Sequence, residues 1–214
     1  MKVPDNLDEF EFTRLDLVEP CKRVLSTDVD LKNVGLWNIP VCRGCRFNCA
    51  TCGGSAYSYQ KLMRRTELAL RSPEKILEDF QRLDEQKLDA VFIFQDMRMG
   101  GENYWRKLLS ILSKEKWSNI ERVTIELFYP AEESFLRELS EHKPADEVGM
   151  GISPESGNEA VRRFQGRGYA DGSLFQTVKS SIKYGLSMAA FFMIGLAHEN
   201  SETMKETWSL WARL

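Results

Sequence analysis

The sequence predicts an α/β fold built on a parallel sheet, and three observations carry that prediction. From about residue 34 onward, apolar segments of strand length alternate with amphipathic segments of helix length, the order that builds right-handed βαβ units. Residues Ala90–Phe94 form a continuous apolar run, as a strand covered on both faces does. Ser72-Pro73 stands ahead of a helical stripe, with serine suited to the N-cap and proline to the first helical position.

Taken in order, residues 1–33 are mixed and acidic and are broken by Pro4 and Pro20. They read as a lead-in or linker, with 34–214 as the core domain. Cys21 reads there as an incidental thiol. Residues 34–41 are expected as strand one, running straight into a cysteine-rich loop. The helix opened by Ser72-Pro73 carries Ile76, Leu77, Phe80 and Leu83 on one face. Ala90–Phe94 is strand two, and Tyr104, Trp105, Leu108, Leu109 and Leu112 mark the helix after it. Residues 123–128 are strand three, and Phe135, Leu136 and Leu139 mark its helix. Residues 148–152 are strand four. Ser156 with Glu159 is expected to form a capping box for a short helix. A longer helix over 171–184 stops at Gly185. Residues 188–194 are strand five, and Met204, Trp208 and Trp211 lie on the last helix. Five strand–helix units result from this reading of the sequence.

A chain of 214 residues is expected to hold one domain with a sizeable core. Hydrophobic content of 43% with 29% charged residues is ordinary for a water-soluble globular protein. The net charge of −3 gives no basic footprint, so charge offers no argument for nucleic acid. The opening residues, 1–9, are too acidic and polar for a signal peptide. The longest apolar run, 188–197, falls far short of the ~20 residues that a membrane-crossing helix needs. Five cysteines, odd in number and clustered, do not form a secreted disulfide framework. A reducing cytoplasm is the expected location.

Cys42, Cys45, Cys49 and Cys52 fall within eleven residues. Thiolates ligate zinc and iron–sulfur clusters. Cys45, Cys49 and Cys52 stand as C-x3-C-x2-C, one ligand short of a closed site, which suits a cluster with one iron left open. Two other readings use Cys42. One is a structural zinc site with two C-x2-C knuckles, although zinc ribbons usually separate their knuckles by ~15–20 residues and only three intervene here. The other is a closed four-cysteine electron-transfer cluster.

The spacing of Cys45, Cys49 and Cys52 resembles the cysteine motif of the radical S-adenosylmethionine (SAM) enzymes. The flanking words Val41-Cys42-Arg43-Gly44-Cys45 and Cys52-Gly53-Gly54-Ser55 are similar to the branch whose members often carry a cobalamin-binding domain. Where the family usually has an aromatic residue just before the third cysteine, this chain has Thr51, and Phe47 is the expected substitute against the adenine. The resemblance implies a partial parallel (β/α) TIM-like barrel, with five of six units present and the chain a piece of a longer protein. It implies a [4Fe–4S] cluster on the three thiolates, with the amino and carboxylate groups of SAM on the fourth iron. It further implies reductive cleavage of SAM to a 5′-deoxyadenosyl radical acting on an unknown substrate. Methyl transfer is implied if cobalamin is bound by a domain outside this chain, and flavodoxin or ferredoxin is the expected electron donor.

In a parallel barrel, ligands gather at the C-terminal strand ends, and those ends supply the candidate contacts. Gln95 and Asp96 follow strand two. Gly100, Gly101 and Glu102 resemble the family segment that holds the SAM amino group, and a solvated turn is the competing reading. Glu126 places a carboxylate in an apolar strand, which is costly to bury unless paired. It is expected either to face a polar lumen and take a ligand's amine or hydroxyl, or to lie at the surface. Ser153, Glu155 and Ser156 resemble the fourth-strand segment that approaches SAM. Arg167 stands where similar proteins place an arginine for the SAM carboxylate. Ile194, at the fifth strand's end, is expected along the adenine. His198 reads as a loop histidine, and Met97 and Met99 as packing.

Overall fold

A computed structural model describes residues 7–17 and 36–214. The reading of Cys21 and the first two residues of the expected strand one lie outside these. The strands are β1 (Trp37–Pro40), β2 (Cys42–Arg43), β3 (Ala69–Leu70), β4 (Ala90–Phe94), β5 (Arg122–Leu127), β6 (Glu147–Glu155) and β7 (Ser187–Phe192). Five of them make one sheet in the order β1-β4-β5-β6-β7, with β1 parallel to β4 and β4 parallel to β5. β2 and β3 form a separate antiparallel ribbon pairing Cys42 with Leu70. The helices are α1 (Ala56–Met63), α2 (Pro73–Glu85), α3 (Glu102–Leu112), α4 (Glu133–Glu141), α5 (Glu159–Phe164), α6 (Asp171–Lys183) and α7 (Ser201–Arg213). No helix among the described residues is long and apolar enough to cross a membrane.

The chain divides into two compact units. The first comprises the described residues up to Arg43 with Ala69–Glu126 and Glu141–Gly149. Here α2 starts as expected: the Ser72 side chain accepts from the Lys75 N–H, with Pro73 next. Ile76, Phe80 and Leu83 are fully buried, and each such burial stabilises by roughly 1.5–3 kcal/mol. Leu77, expected on the same face, is only half-buried, and Asp79 lies buried instead. It is held there by Arg71, whose Nε donates to Asp79 Oδ2 at 2.8 Å. The same guanidinium donates to the carbonyls of Leu7 and Phe10. The described part of the lead-in is therefore docked on this unit. β4 is less covered than its apolar run predicts, since Phe94 is exposed.

The second unit comprises Gly44–Leu68, Leu127–Ser140 and Met150–Leu214. In α4 the buried residues are Phe135, Leu136 and Leu139, as expected. The cap of α5 is not. Asn158 is the N-cap, accepting from the Val161 N–H at 2.9 Å, and Glu159 is the first helical residue. Ser156 lies earlier, in the turn after β6, with its Oγ accepting from the Asn158 N–H at 3.1 Å. The last helix carries Met204, Trp208 and Trp211 as expected; Leu210 is its buried residue, and Trp208 and Trp211 are exposed.

Candidate functional site

The cysteine loop is shaped by its own backbone. The Cys52 N–H donates to the Cys49 carbonyl, the Ser55 N–H to that of Cys52 and the Ala56 N–H to that of Phe47. These bonds fold the loop back to where Ser55 caps α1. Two N–H groups point at sulfur: Phe47 toward Cys45 Sγ at 3.4 Å and Gly54 toward Cys52 Sγ at 3.3 Å. The Phe47 ring packs edge-on against Phe128, at 6.1 Å between centroids, and beside Tyr129 at 5.7 Å. Cys45, Cys49 and Cys52 form no disulfide. Burial pushes the Cys45 and Cys49 thiols up, and the Arg167 guanidinium opposes that in both. For both thiols, the charge of neighbouring cysteines adds to the upward push.

Arg167 bridges two strand ends. Its Nη1 donates to the Phe128 carbonyl at 2.8 Å, and its Nη2 lies 3.4 Å from Glu155 Oε1. Its Nε is buried without a partner. Glu155 ends β6 with φ +69°, a left-handed conformation that is uncommon outside glycine and tends to mark functional positions. Burial pushes its carboxyl up, against Arg167. Its carbonyl accepts from the Met193 N–H. Ser153 is half-buried on β6. Ser156 is fully buried, with its Oγ 3.4 Å from Thr207 Oγ1. Ile194 lies beyond the end of β7 and is exposed. His198 has φ +67° and packs edge-on to the Phe164 ring at 4.0 Å.

The candidates in the first unit form a different set. The Cys42 thiol is buried and donates to Gln95 Oε1 at 3.2 Å, and its N–H points to the same oxygen. The Gln95 N–H in turn donates to Glu126 Oε2 at 2.7 Å, which supplies the pairing that a half-buried carboxylate needs. Gln95 also has a left-handed backbone, with φ +72°. Asp96 is buried in a two-toothed pair with Arg98. Gly100 closes a 3-10 turn over Met97–Gly100, with buried Met97 and Met99 packing as expected. Gly101 opens α3 with φ +90°. Glu102 is exposed and pairs with Arg106.

The sequence reading missed the turn after α5. The Ala50 N–H donates to the Gln165 carbonyl at 3.1 Å. The signal for that turn was a glycine directly behind the helical run ending at Phe164 and Gln165.

The family model for the radical SAM superfamily matches residues 39–210. The chain belongs to the radical SAM superfamily. No curated protein matches it. Among solved structures it is similar to the radical S-adenosylmethionine methyltransferase TsrM from Kitasatospora setae, with cobalamin and a [4Fe–4S] cluster bound: TM-score 0.66, 14% identity, 84% of this chain and 34% of that one. It is also similar to the cobalamin-dependent S-adenosylmethionine radical enzyme OxsB, with TM-score 0.69, 11% identity, 98% of this chain and 29% of that one. A third is methylornithine synthase, PylB, at TM-score 0.60 and 13% identity over 100% of this chain and 62% of that one. This chain thus spans about a third of the length of the first two. At such identities the likeness is one of fold, and the five-stranded sheet is the partial TIM-like barrel of radical SAM enzymes.

The superfamily's cofactors are a [4Fe–4S] cluster and SAM. The donor set fits them: three thiols without disulfides lie in one loop, with N–H groups aimed at two of the sulfurs. Among the described residues no group of three or more His, Cys, Asp or Glu side chains is gathered to hold a metal ion.

Proposed function

We propose that residues 34–214 are the core domain of a radical SAM enzyme in which Cys45, Cys49 and Cys52 hold a [4Fe–4S] cluster and leave one iron for SAM. One observation carries this reading: the fourth nearby cysteine is already committed. The Cys42 thiol is buried and donates to Gln95, while Cys45 and Cys49 are half-buried and Cys52 is exposed in the loop that Arg167 faces. When bound, the cluster supplies the electron for reductive cleavage of SAM. The chain's own residues hold and orient. The Arg167 guanidinium offers a carboxylate its planar donor fork, and Glu155 is the acceptor beside it for an amino group. Ser153, Ser156 and Ile194 remain candidate contacts around them. Gln95 and Glu126, joined to each other, are assigned to positioning, as are Gly100 and Gly101. Asp96 is buried against Arg98, and Glu102 pairs with Arg106 at the surface; both remain candidate cofactor contacts.

TsrM and OxsB are described with cobalamin. That supports methyl transfer assisted by cobalamin on a domain outside this chain, with flavodoxin or ferredoxin as reductant in the cytoplasm. The test is anaerobic cluster reconstitution followed by EPR of the reduced protein with and without SAM. The expected result is a [4Fe–4S]⁺ signal that changes when SAM is added. It should be retained in Cys42→Ala and lost in Cys45→Ala. Loss of the cluster in Cys42→Ala would instead establish a closed four-cysteine site. Stoichiometric zinc without a cluster would sink the proposal.

A further inference from the structure

Helix α5 ends in a two-bond turn: the Gly166 N–H donates to the Arg163 carbonyl at 3.0 Å and the Arg167 N–H to that of Arg162 at 2.9 Å. This is the Schellman arrangement, which requires a left-handed residue just past the helix. Gly166 supplies it with φ +87°. The turn is anchored from behind. Arg162, with no exposed surface, donates to the Ser156 carbonyl at 3.2 Å, pairs with Asp171 and lies over the Tyr169 ring.

Its other side touches the cysteine loop. The Gln165 carbonyl takes the Ala50 N–H. A Cβ placed on Gly166 would stand 2.8 Å from the Asn48 carbonyl oxygen and 2.9 Å from the Cys49 Cα. Both are backbone atoms, which cannot swing aside as a side chain does. Glycine is therefore required twice, by the helix end and by the loop.

We propose that the Gln165–Gly166 turn is the positioning element for Cys49, fixing where its thiol stands relative to those of Cys45 and Cys52. The proposal rests on the three-thiolate reading above. Metal ligands must be held within about 0.5 Å of their working geometry by the residues behind them. The loop has little regular structure of its own to do this, whereas a helix end braced by a buried arginine does.

Gly185 provides the control. It follows α6 with φ +65° and has nothing within 4 Å of where its Cβ would be. Gly185→Ala thus carries the backbone strain without the contact. Three measurements are made on the wild type and both variants: thermal midpoint, the rate at which iodoacetamide alkylates Cys49 in metal-free protein, and iron per chain with the EPR response to SAM after reconstitution. The expected result is a lower midpoint in both variants. Only Gly166→Ala should change the Cys49 rate several-fold and lose iron or the SAM response. If Gly166→Ala alkylates and loads like Gly185→Ala, the proposal is overturned. If Gly166→Ala is too unstable to purify, Gly166→Asn carries the same Cβ with less left-handed strain and decides in its place. If the wild type takes no cluster, the three-thiolate reading fails, and the alkylation rates still decide whether the turn positions Cys49.

Discussion

Asp79 lies in the buried face of α2 with one carboxylate oxygen held by Arg71 and the other, Oδ1, without a partner. Burial pushes its carboxyl up to about 6, against the pull of Arg71 and then Arg82 and with a small push from Glu78. The folded protein therefore binds a proton at a pH where the unfolded chain, near 3.8, has released it. The stability this group contributes is fully present below the unfolded value and is lost as pH rises through about 6. We expect the urea midpoint of the wild type, referenced to Asp79→Asn, to fall as pH rises from about 4 to about 7. A difference independent of pH would refute the assignment. None of this was visible in the sequence, where the helical stripe pointed to Leu77, because a buried carboxylate is legible only once its arginine is known. The cysteines were the opposite case: the C-x3-C-x2-C spacing carried the resemblance to the radical SAM enzymes, and the family model bears that resemblance out. Of the other candidates, the sequence located Glu155 and Arg167 near strand ends but not their pairing. It carried a signal for the turn at Gly166 but none for its contact with the cysteine loop, which joins residues far apart in the chain.

At the scale of elements, local chemistry was legible where one turn decides it and misread where two solutions compete. Ser72-Pro73 opened α2 as expected. Ser156 with Glu159 also fits a capping pattern, yet the chain continues two residues further and caps α5 with Asn158. The buried Ser156 Oγ is engaged by the Asn158 N–H and lies beside Thr207, so it serves the turn rather than the helix. This distinction predicts a measurable cost. Asn158→Ala should lower stability by about 1 kcal/mol through loss of the cap, read as a reduced urea midpoint with unchanged slope. An unaffected midpoint would show that α5 does not depend on that cap. The β2–β3 ribbon, two residues on each side, was not legible, since so short a pairing leaves no periodicity. Met204, Trp208 and Trp211 marked a real helix, whose buried residue is Leu210.

At the scale of the whole molecule, the alternation of strand and helix was sufficient for the α/β class, because each βαβ unit is local in sequence. The division into two interleaved units was not readable, since each gathers separate stretches of chain. The sheet's far edge has a physical consequence of its own. β7 stands last in the strand order, and its residues alternate between exposed and half-buried. Around it Phe191 is 59% exposed, Ile194 73%, Trp208 62% and Trp211 59%. Phe191, Met193, Ile194, Met204, Trp208 and Trp211 line a cavity of about 280 Å³. An edge strand offers unpaired backbone groups, and a contiguous apolar patch beside it favours association. The 214-residue chain on its own should therefore self-associate. In sedimentation velocity its weight-average coefficient should rise with protein concentration, and Phe191→Thr combined with Trp211→Gln should flatten that rise while leaving the helical circular dichroism intact. A coefficient constant across concentration in the unsubstituted chain would mean that the edge is already protected, and that the exposed aromatic residues are not a sticky surface in solution.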